Sequence, residues 1–215
     1  RGTIDGKNTV SDYFPVEKEY GYSVFSTLFS YEWKEKLMNF IDCPGSDDFV
    51  GGVVSALNVT DMALMLIDAA NGVGVGTINQ FRYVDEMKKP LVLLINRMDH
   101  EKADYENPLA NLKEHYGSKV VPVQYPTGNG IAFDGIVDVL KQKYYHWKPG
   151  STAPDVLEIP ESEQERASEY YQALLEAAAE NDEGLMEKYF DQGSLTEEEM
   201  RDGIHKGMVS HMLFP

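Results

Sequence analysis

Two near-continuous apolar runs, MALMLID at Met62–Asp68 and PLVLLIN at Pro90–Asn96, restrict the fold of this 215-residue chain more than any other feature. A strand that is apolar at consecutive positions needs cover on both faces, which is the situation of a parallel sheet flanked by helices. The chain between the two runs, TINQFRYVDEMKK, carries Ile78, Phe81, Val84 and Met87 at helical spacing. Strand, helix and strand in that order predict a doubly wound, mostly parallel α/β sheet. Upstream, SVFSTLFSYEW (Ser23–Trp33) reads as a strand, LMNFID (Leu37–Asp42) as a short buried strand, and FVGGVVSALNVTD (Phe49–Asp61) as a helix.

The second half has a different texture. VVPVQYP (Val120–Pro126) reads as a strand, and GIVDVLKQKYYHW as a helix or a helix-to-strand passage. A loop with Pro149, Pro154 and Pro160 leads into acidic helices. Ser162 with Glu165 forms a capping-box pattern, followed by the stripe Ala167, Tyr170, Tyr171, Leu174, Leu175 and Ala178. Ser194 with Glu197 predicts another helix start, with Ile204, Met208 and Met212 on the apolar face. The change in texture puts a domain boundary near Gly117–Lys119, dividing the chain into 1–118 and 119–215.

Composition narrows the function classes. The net charge is −17, and Gly150–Gly203 alone holds 16 acidic residues against three basic ones. Such a surface repels bare nucleic acid, disfavours sequence-specific DNA binding and points to a protein or basic partner. No apolar run approaches a membrane span. The single cysteine, Cys43, excludes an intrachain disulfide and suits a reducing cytoplasm. The chain begins at Arg1 rather than Met, which leads to the expectation of an excerpt or a processed chain.

Several short motifs carry little chemistry. GVGVG (Gly72–Gly76) lacks the spacing of a dinucleotide turn, and GTIDGKN (Gly2–Asn8) is one residue short of a phosphate loop and lacks its Ser/Thr. Cys43 has no cationic neighbour to activate it. Histidines 100, 115, 146, 205 and 211 show no metal-ligand spacing, and Asp42, Asp47 and Asp48 miss the EF-hand pattern. Two other motifs say more. IDCPGSDDF (Ile41–Phe49) places an aspartate at a strand end before a Pro-Gly turn, where nucleotide-hydrolysing folds put a magnesium ligand and a phosphate contact. NRMD (Asn96–Asp99) follows the apolar strand directly. Asp99 can accept bonds from guanine N1–H and the exocyclic amine, each worth roughly 1.5–3 kcal/mol, and adenine offers no such pair. Asn96 would brace the loop, and the stem of Arg97 would lie over the purine face.

Together these residues resemble the GTP-binding domain of the translational GTPases, most closely elongation factor G. The family's D-T-P-G-H-V-D-F is similar to Asp42-Cys43-Pro44-Gly45-Ser46-Asp47-Asp48-Phe49, and its N-K-M-D to Asn96-Arg97-Met98-Asp99. SALNVTDMALMLIDAANGV resembles the family's helix and strand ending in a DA..GV turn. The second half, from VVPVQYPTG to LLEAAAENDEGLMEKYF, looks like the insert of elongation factor G. Counting back from Trp33 places the first switch on Tyr20-Gly21-Tyr22-Ser23-Val24, while RGTI at residues 1–4 lies too far upstream. Coverage runs over about residues 18–215.

The resemblance implies the α/β sheet of a P-loop GTPase domain with an α+β insert. It also implies GTP or GDP and Mg2+ as ligands, and the ribosome with its stalk proteins as partner during translocation. Asp42 and Ser23 would serve the metal, Gly45 would donate its N–H to the γ-phosphate, and Asn96, Arg97 and Asp99 would hold the base. Ser46 stands where the family has its catalytic histidine; it is too short to orient the same water, which makes hydrolysis doubtful. Asp47 replaces an apolar gate residue beside the phosphate. Tyr20 replaces an arginine. The P-loop strand and its lysine would precede Arg1, and the motif contacting the guanine carbonyl would follow Pro215, so the excerpt by itself is expected to bind GTP poorly. The alternative expectation is a ribosome-binding paralogue that binds GTP and hydrolyses it slowly or not at all.

Overall fold

A computed structural model describes residues 2–3 and 5–215. Readings that rest on Arg1 and Ile4, RGTI and part of GTIDGKN, lie outside the described residues. The chain divides into two compact units, one running to Met62 and including Val75–Met87, the other formed by Ala63–Gly74 and Lys88–Pro215.

The first unit opens with α1 (Pro15–Tyr20), which has proline in its first turn and ends on Gly21 at φ 75°, where a Cβ would be penalised. An antiparallel hairpin follows, β1 (Thr27–Trp33) with β2 (Lys36–Asp42), in register from Thr27↔Asp42 to Trp33↔Lys36. Its two-residue turn needs positive φ at both positions, and Lys34 and Glu35 supply 48° and 62°. Opposed Phe29 and Phe40 stack at 5.5 Å across the hairpin. The expectation of a buried LMNFID strand is corrected: Leu37 is 64% exposed, because β2 has no sheet partner but β1 among the described residues. Helices α2 (Val50–Val59) and α3 (Val75–Glu86) complete this unit.

In the second unit, β3 (Ala63–Asp68) and β4 (Leu91–Asn96) pair in parallel, from Ala63↔Leu91 to Asp68↔Asn96. This is the expected parallel element. Its cover is one-sided, however: Met65 and Ile67 are buried, whereas Leu64 and Leu66 are more than half exposed. The end of the chain joins β4, with Leu93 N–H donating to the Pro215 carbonyl at 2.9 Å and Phe214 N–H to Lys119 at 2.7 Å. A four-stranded antiparallel sheet takes β5 (Gln124–Pro126), β6 (Gly135–Asp138), β7 (Lys143–His146) and β8 (Asp155–Leu157) in that order. GIVDVLKQKYYHW is therefore a hairpin and not a helix. Buried Asp138 accepts from Lys141 N–H at 2.9 Å and Gln142 turns at φ 51°, so side-chain capping of the turn overrides the helical spacing of Ile136 and Val139.

Four helices complete this unit: α4 (Glu106–Tyr116), α5 (Gln164–Ala179), α6 (Glu183–Gln192) and α7 (Glu197–Val209). The Arg166 guanidinium lies 5.6, 4.3 and 5.4 Å from the rings of Tyr105, Tyr125 and Tyr170 and pairs with Glu106, tying α4, β5 and α5 together. The α5 stripe buries Ala167, Leu174, Leu175 and Ala178 as its spacing predicts. Its predicted cap does not form: a 3-10 turn at Glu161–Glu163 precedes α5, and no side chain caps it. The capping box of α7 sits two residues later than expected, on Thr196 and Glu199. Buried Leu195 and Met200 flank that cap in the arrangement of a hydrophobic staple, which fixes the helix start there. The packed face of α7 is also not Ile204, Met208 and Met212, since Met212 is exposed; it is Met200, Gly203 and Gly207. Glycine lets the backbones meet. A Cβ on Gly203 would lie 2.3 Å from the Ala178 carbonyl oxygen. Among the described residues no helix is long and apolar enough to cross a membrane.

Gly203→Ala should destabilise the protein by roughly 1–3 kcal/mol through overpacking, read by denaturant unfolding. Gly51→Ala is the control: its Cβ meets nothing within 4 Å in α2, so it should stabilise by about 0.5–1 kcal/mol.

Candidate functional site

The loop after β2 is built by short-range bonds. Asp42 closes the strand opposite Thr27, Pro44 is buried, and Gly45 through Asp48 are exposed. Ser46 is the N-cap of a 3-10 turn over Asp47–Phe49, its Oγ accepting from Asp48 N–H at 3.4 Å. Two consecutive residues of α3 hold the same loop. Asn79 Nδ2 donates to Asp47 Oδ2 at 2.8 Å, and Gln80 Nε2 donates to the Gly45 carbonyl at 3.0 Å. A Cβ on Gly45 would meet nothing within 4 Å, so one face of the turn is open. Half-buried Cys43 has its thiol pushed up by burial, against a Ser26 hydrogen bond, and the charge of Asp42 adds to the rise. That is the electrostatics of an inert thiol.

The segment before β1 is organised by a residue that sequence reasoning missed. The Glu17 carboxylate is fully buried and accepts three backbone N–H bonds, from Phe14 at 3.2 Å and from Val24 and Phe25 at 3.0 Å. Burial pushes its pKa up, but the three backbone donors outweigh that and hold it below the usual range. Ser23 Oγ donates to Asp12 Oδ1 at 2.7 Å. Nothing in PVEKEYGY separates Glu17 from its exposed neighbours, because its partners are backbone groups that any sequence provides.

In the second unit the NRMD loop leaves β4 at Asn96, whose carbonyl accepts from Ala69 N–H at 2.9 Å. Arg97 turns at φ 62°, a left-handed backbone that costs a residue with a Cβ about 1 kcal/mol. Its Nη1 lies 2.8 Å from Asp68 Oδ2. Asp68 Oδ1 accepts from Ala70 N–H, Asn71 N–H and Asn71 Nδ2 at 2.9, 3.0 and 3.1 Å. Burial raises the Asp68 pKa, and these backbone bonds together with the Arg97 charge overcome it and leave the carboxyl below its usual range. Met98 is buried, and its carbonyl accepts from Gly130 N–H at 2.8 Å, anchoring the loop centre. Asp99 is exposed beside it. The GVGVG glycines resolve as a turn, Gly72 N–H donating to Asp68 at 2.8 Å with φ 67°, followed by α3.

Asp42, Gly45 and Ser46 thus share one loop, and Asn96, Arg97 and Asp99 share another. Among the described residues no group of three or more His, Cys, Asp and Glu could hold a metal ion. Ser23 and Asp42 offer hydroxyl and carboxylate oxygens, the hard donors magnesium takes when phosphates and water complete its shell. The donor types therefore fit, and Ser23 would have to exchange its Asp12 bond.

A family model described as the elongation factor Tu GTP binding domain matches residues 1–202. The chain is 37% identical over 217 residues to an "Elongation factor G-like protein" of Thermotoga maritima, covering 99% of this chain and 31% of that protein. A crystal structure from Thermus thermophilus matches with a TM-score of 0.91 at 30% identity, covering 100% of this chain and 32% of that one. The chain spans about a third of the length of these relatives.

Replacing Glu17 with Gln should speed amide exchange at Val24 and Phe25 at least about tenfold near neutral pH. Because the folded carboxyl lies below the unfolded value of 4.5, its contribution holds above that pH and is lost as pH falls through the folded value. The wild-type amides should therefore lose protection below pH 4.5 and the variant's should not change there, as hydrogen exchange across a pH series would read.

Proposed function

Since the chain belongs to the translational GTPases through their elongation factor Tu-type GTP-binding domain, we propose that it is the guanine-nucleotide-binding part of an elongation factor G-like protein that acts on the ribosome in translocation. The supporting observation is that each of two family motifs leaves the end of a strand: Asp42-Cys43-Pro44-Gly45 after β2, and Asn96-Arg97-Met98-Asp99 after β4 in register with Asp68. In this reading residues 1–118 form part of the GTP-binding domain and 119–215 the insert, whose acidic helices face ribosomal stalk proteins in the cytoplasm. Asn96 braces the base loop, and Asp99 selects guanine by accepting two hydrogen bonds. Arg97, kept in place by Asp68, lays its stem along the purine. Gly45 offers its N–H to the γ-phosphate from the open face of its turn. Asp42, through water, and Ser23 would hold magnesium, which when bound neutralises phosphate charge.

One observation favours a second reading, a factor that binds GTP and hydrolyses it slowly. Ser46 occupies the family's histidine position, and its short side chain is engaged in capping the Asp47–Phe49 turn. A hydroxyl committed to a backbone amide does not orient an attacking water.

With the full-length protein and ribosomes, GTP binding and hydrolysis are to be measured separately. Tight binding with slow turnover is the outcome expected from Ser46, and fast ribosome-stimulated turnover would sink the slow-GTPase reading. Asp99→Asn should weaken GTP binding about tenfold or more while gaining affinity for xanthine nucleotide; unchanged base preference would refute the assignment of Asp99.

A further inference from the structure

The contact between α3 and the loop after β2 goes beyond the roles assigned above. Asp47 adds a carboxylate two residues after Gly45, the residue read as the γ-phosphate contact. A free carboxylate there would repel a nucleoside triphosphate, since two like charges a few ångströms apart at a protein surface oppose each other by about 1–4 kcal/mol. Yet the carboxylate is not free. Asn79 Nδ2 holds Asp47 Oδ2 at 2.8 Å, and the adjacent Gln80 Nε2 holds the Gly45 carbonyl at 3.0 Å. Both donors sit in the first half of α3, so one helix fixes the backbone of the turn and the charge that follows it. The helix start lies close to the turn: a Cβ added at Gly76 would make ordinary contact, 3.5 Å from the Gly45 carbonyl oxygen and 3.9 Å from Asp47 Oδ1. Ser46 lies between the two held residues and caps the turn, so three successive side-chain or carbonyl groups are engaged on the α3 side or within the turn itself.

We propose that Asn79, backed by Gln80, is a positioning residue that draws the Asp47 carboxylate onto α3 and thereby lets the Gly45 turn accept a nucleoside triphosphate. This rests on the reading of that turn as the γ-phosphate contact. The acidic residue and the amide that restrains it form one device. Its effect is on the choice between tri- and diphosphate, not on the base, because Asp99 and Asn96 lie on a different loop. A carboxylate released from Asn79 would oppose the γ-phosphate and leave the diphosphate form nearly unaffected.

The test uses the full-length protein, its binding of a non-hydrolysable GTP analogue and of GDP, and hydrogen exchange of the loop. Asn79→Ala should weaken the GTP analogue about tenfold and leave GDP within about twofold. Asp47→Ala in the same chain should restore the analogue, because no carboxylate then remains to be restrained. Equal loss of both nucleotides, or no restoration in the double variant, overturns the proposal. Hydrogen exchange at Asp47–Phe49 reports the latch without nucleotide: faster exchange in Asn79→Ala/Gln80→Ala supports it, and unchanged exchange overturns it. Wild-type protein that binds no guanine nucleotide overturns the functional reading instead, and the exchange result still decides the latch.

Discussion

The parallel pairing of β3 with β4 sets Asp68 and Asn96 side by side at one end of the sheet, and the second unit's loops are arranged around that juxtaposition. Both residues end their strands, and after one further bond from Ala69 N–H to the Asn96 carbonyl the two chains part at the same level. Asp68 uses its position fully. One oxygen caps the turn through Asn71, and the other takes the Arg97 guanidinium. A left-handed residue at Arg97 is strained by itself. The ion pair, the buried Met98 and the bond from Gly130 to the Met98 carbonyl together over-determine the loop. Asp99 is displayed directly after a backbone fixed at Arg97 and Met98.

The acidic helices follow a different logic. Their charge is high, but the α5–α7 contact depends on glycine and not on charge: Gly203 allows the α7 backbone against Ala178, and Gly207 lies against Asn181 and Leu213. The bridges Lys206 to Asp182 and Lys188 to Glu199 are only partly buried and fasten α7 to α6 and its cap without making the α5–α7 contact. Most of the remaining carboxylates are left on the surface, where they add little to the stability of the fold.

Those two cases explain what was legible in the sequence. The parallel strands were readable because continuous apolar runs such as LVLLI have few alternatives, and NRMD was readable because its spacing to DCPG is fixed by the elements between. The α5 stripe was readable from its period. The β6–β7 hairpin was not, since Ile136 and Val139 fit a helix until Asp138 is seen capping the turn. The α7 face was misread because apolarity pointed to Met208 and Met212, while close packing selects the residues without side chains. Glu17 and the donors Asn79 and Gln80 were invisible for a common reason. Each acts through partners distant in sequence or through backbone groups, and no local pattern marks a polar residue whose value lies in where the fold places it.

The two loops are also held by interactions of different strength, which bears on what each can do. The loop after β4 rests on a strand register, a buried methionine and an ion pair, so several contacts have to break together for it to open. The loop after β2 rests on two amide donors from α3 and a serine cap, each exposed to water and each worth about 1 kcal/mol or less. Local stability therefore falls from the loop after β4 to the loop after β2. In the function proposed above, a nucleotide switch needs that order. The part that recognises the base has to stay rigid while the part that senses the third phosphate moves, and weak, separable hydrogen bonds let a ligand of modest differential affinity shift the second without disturbing the first.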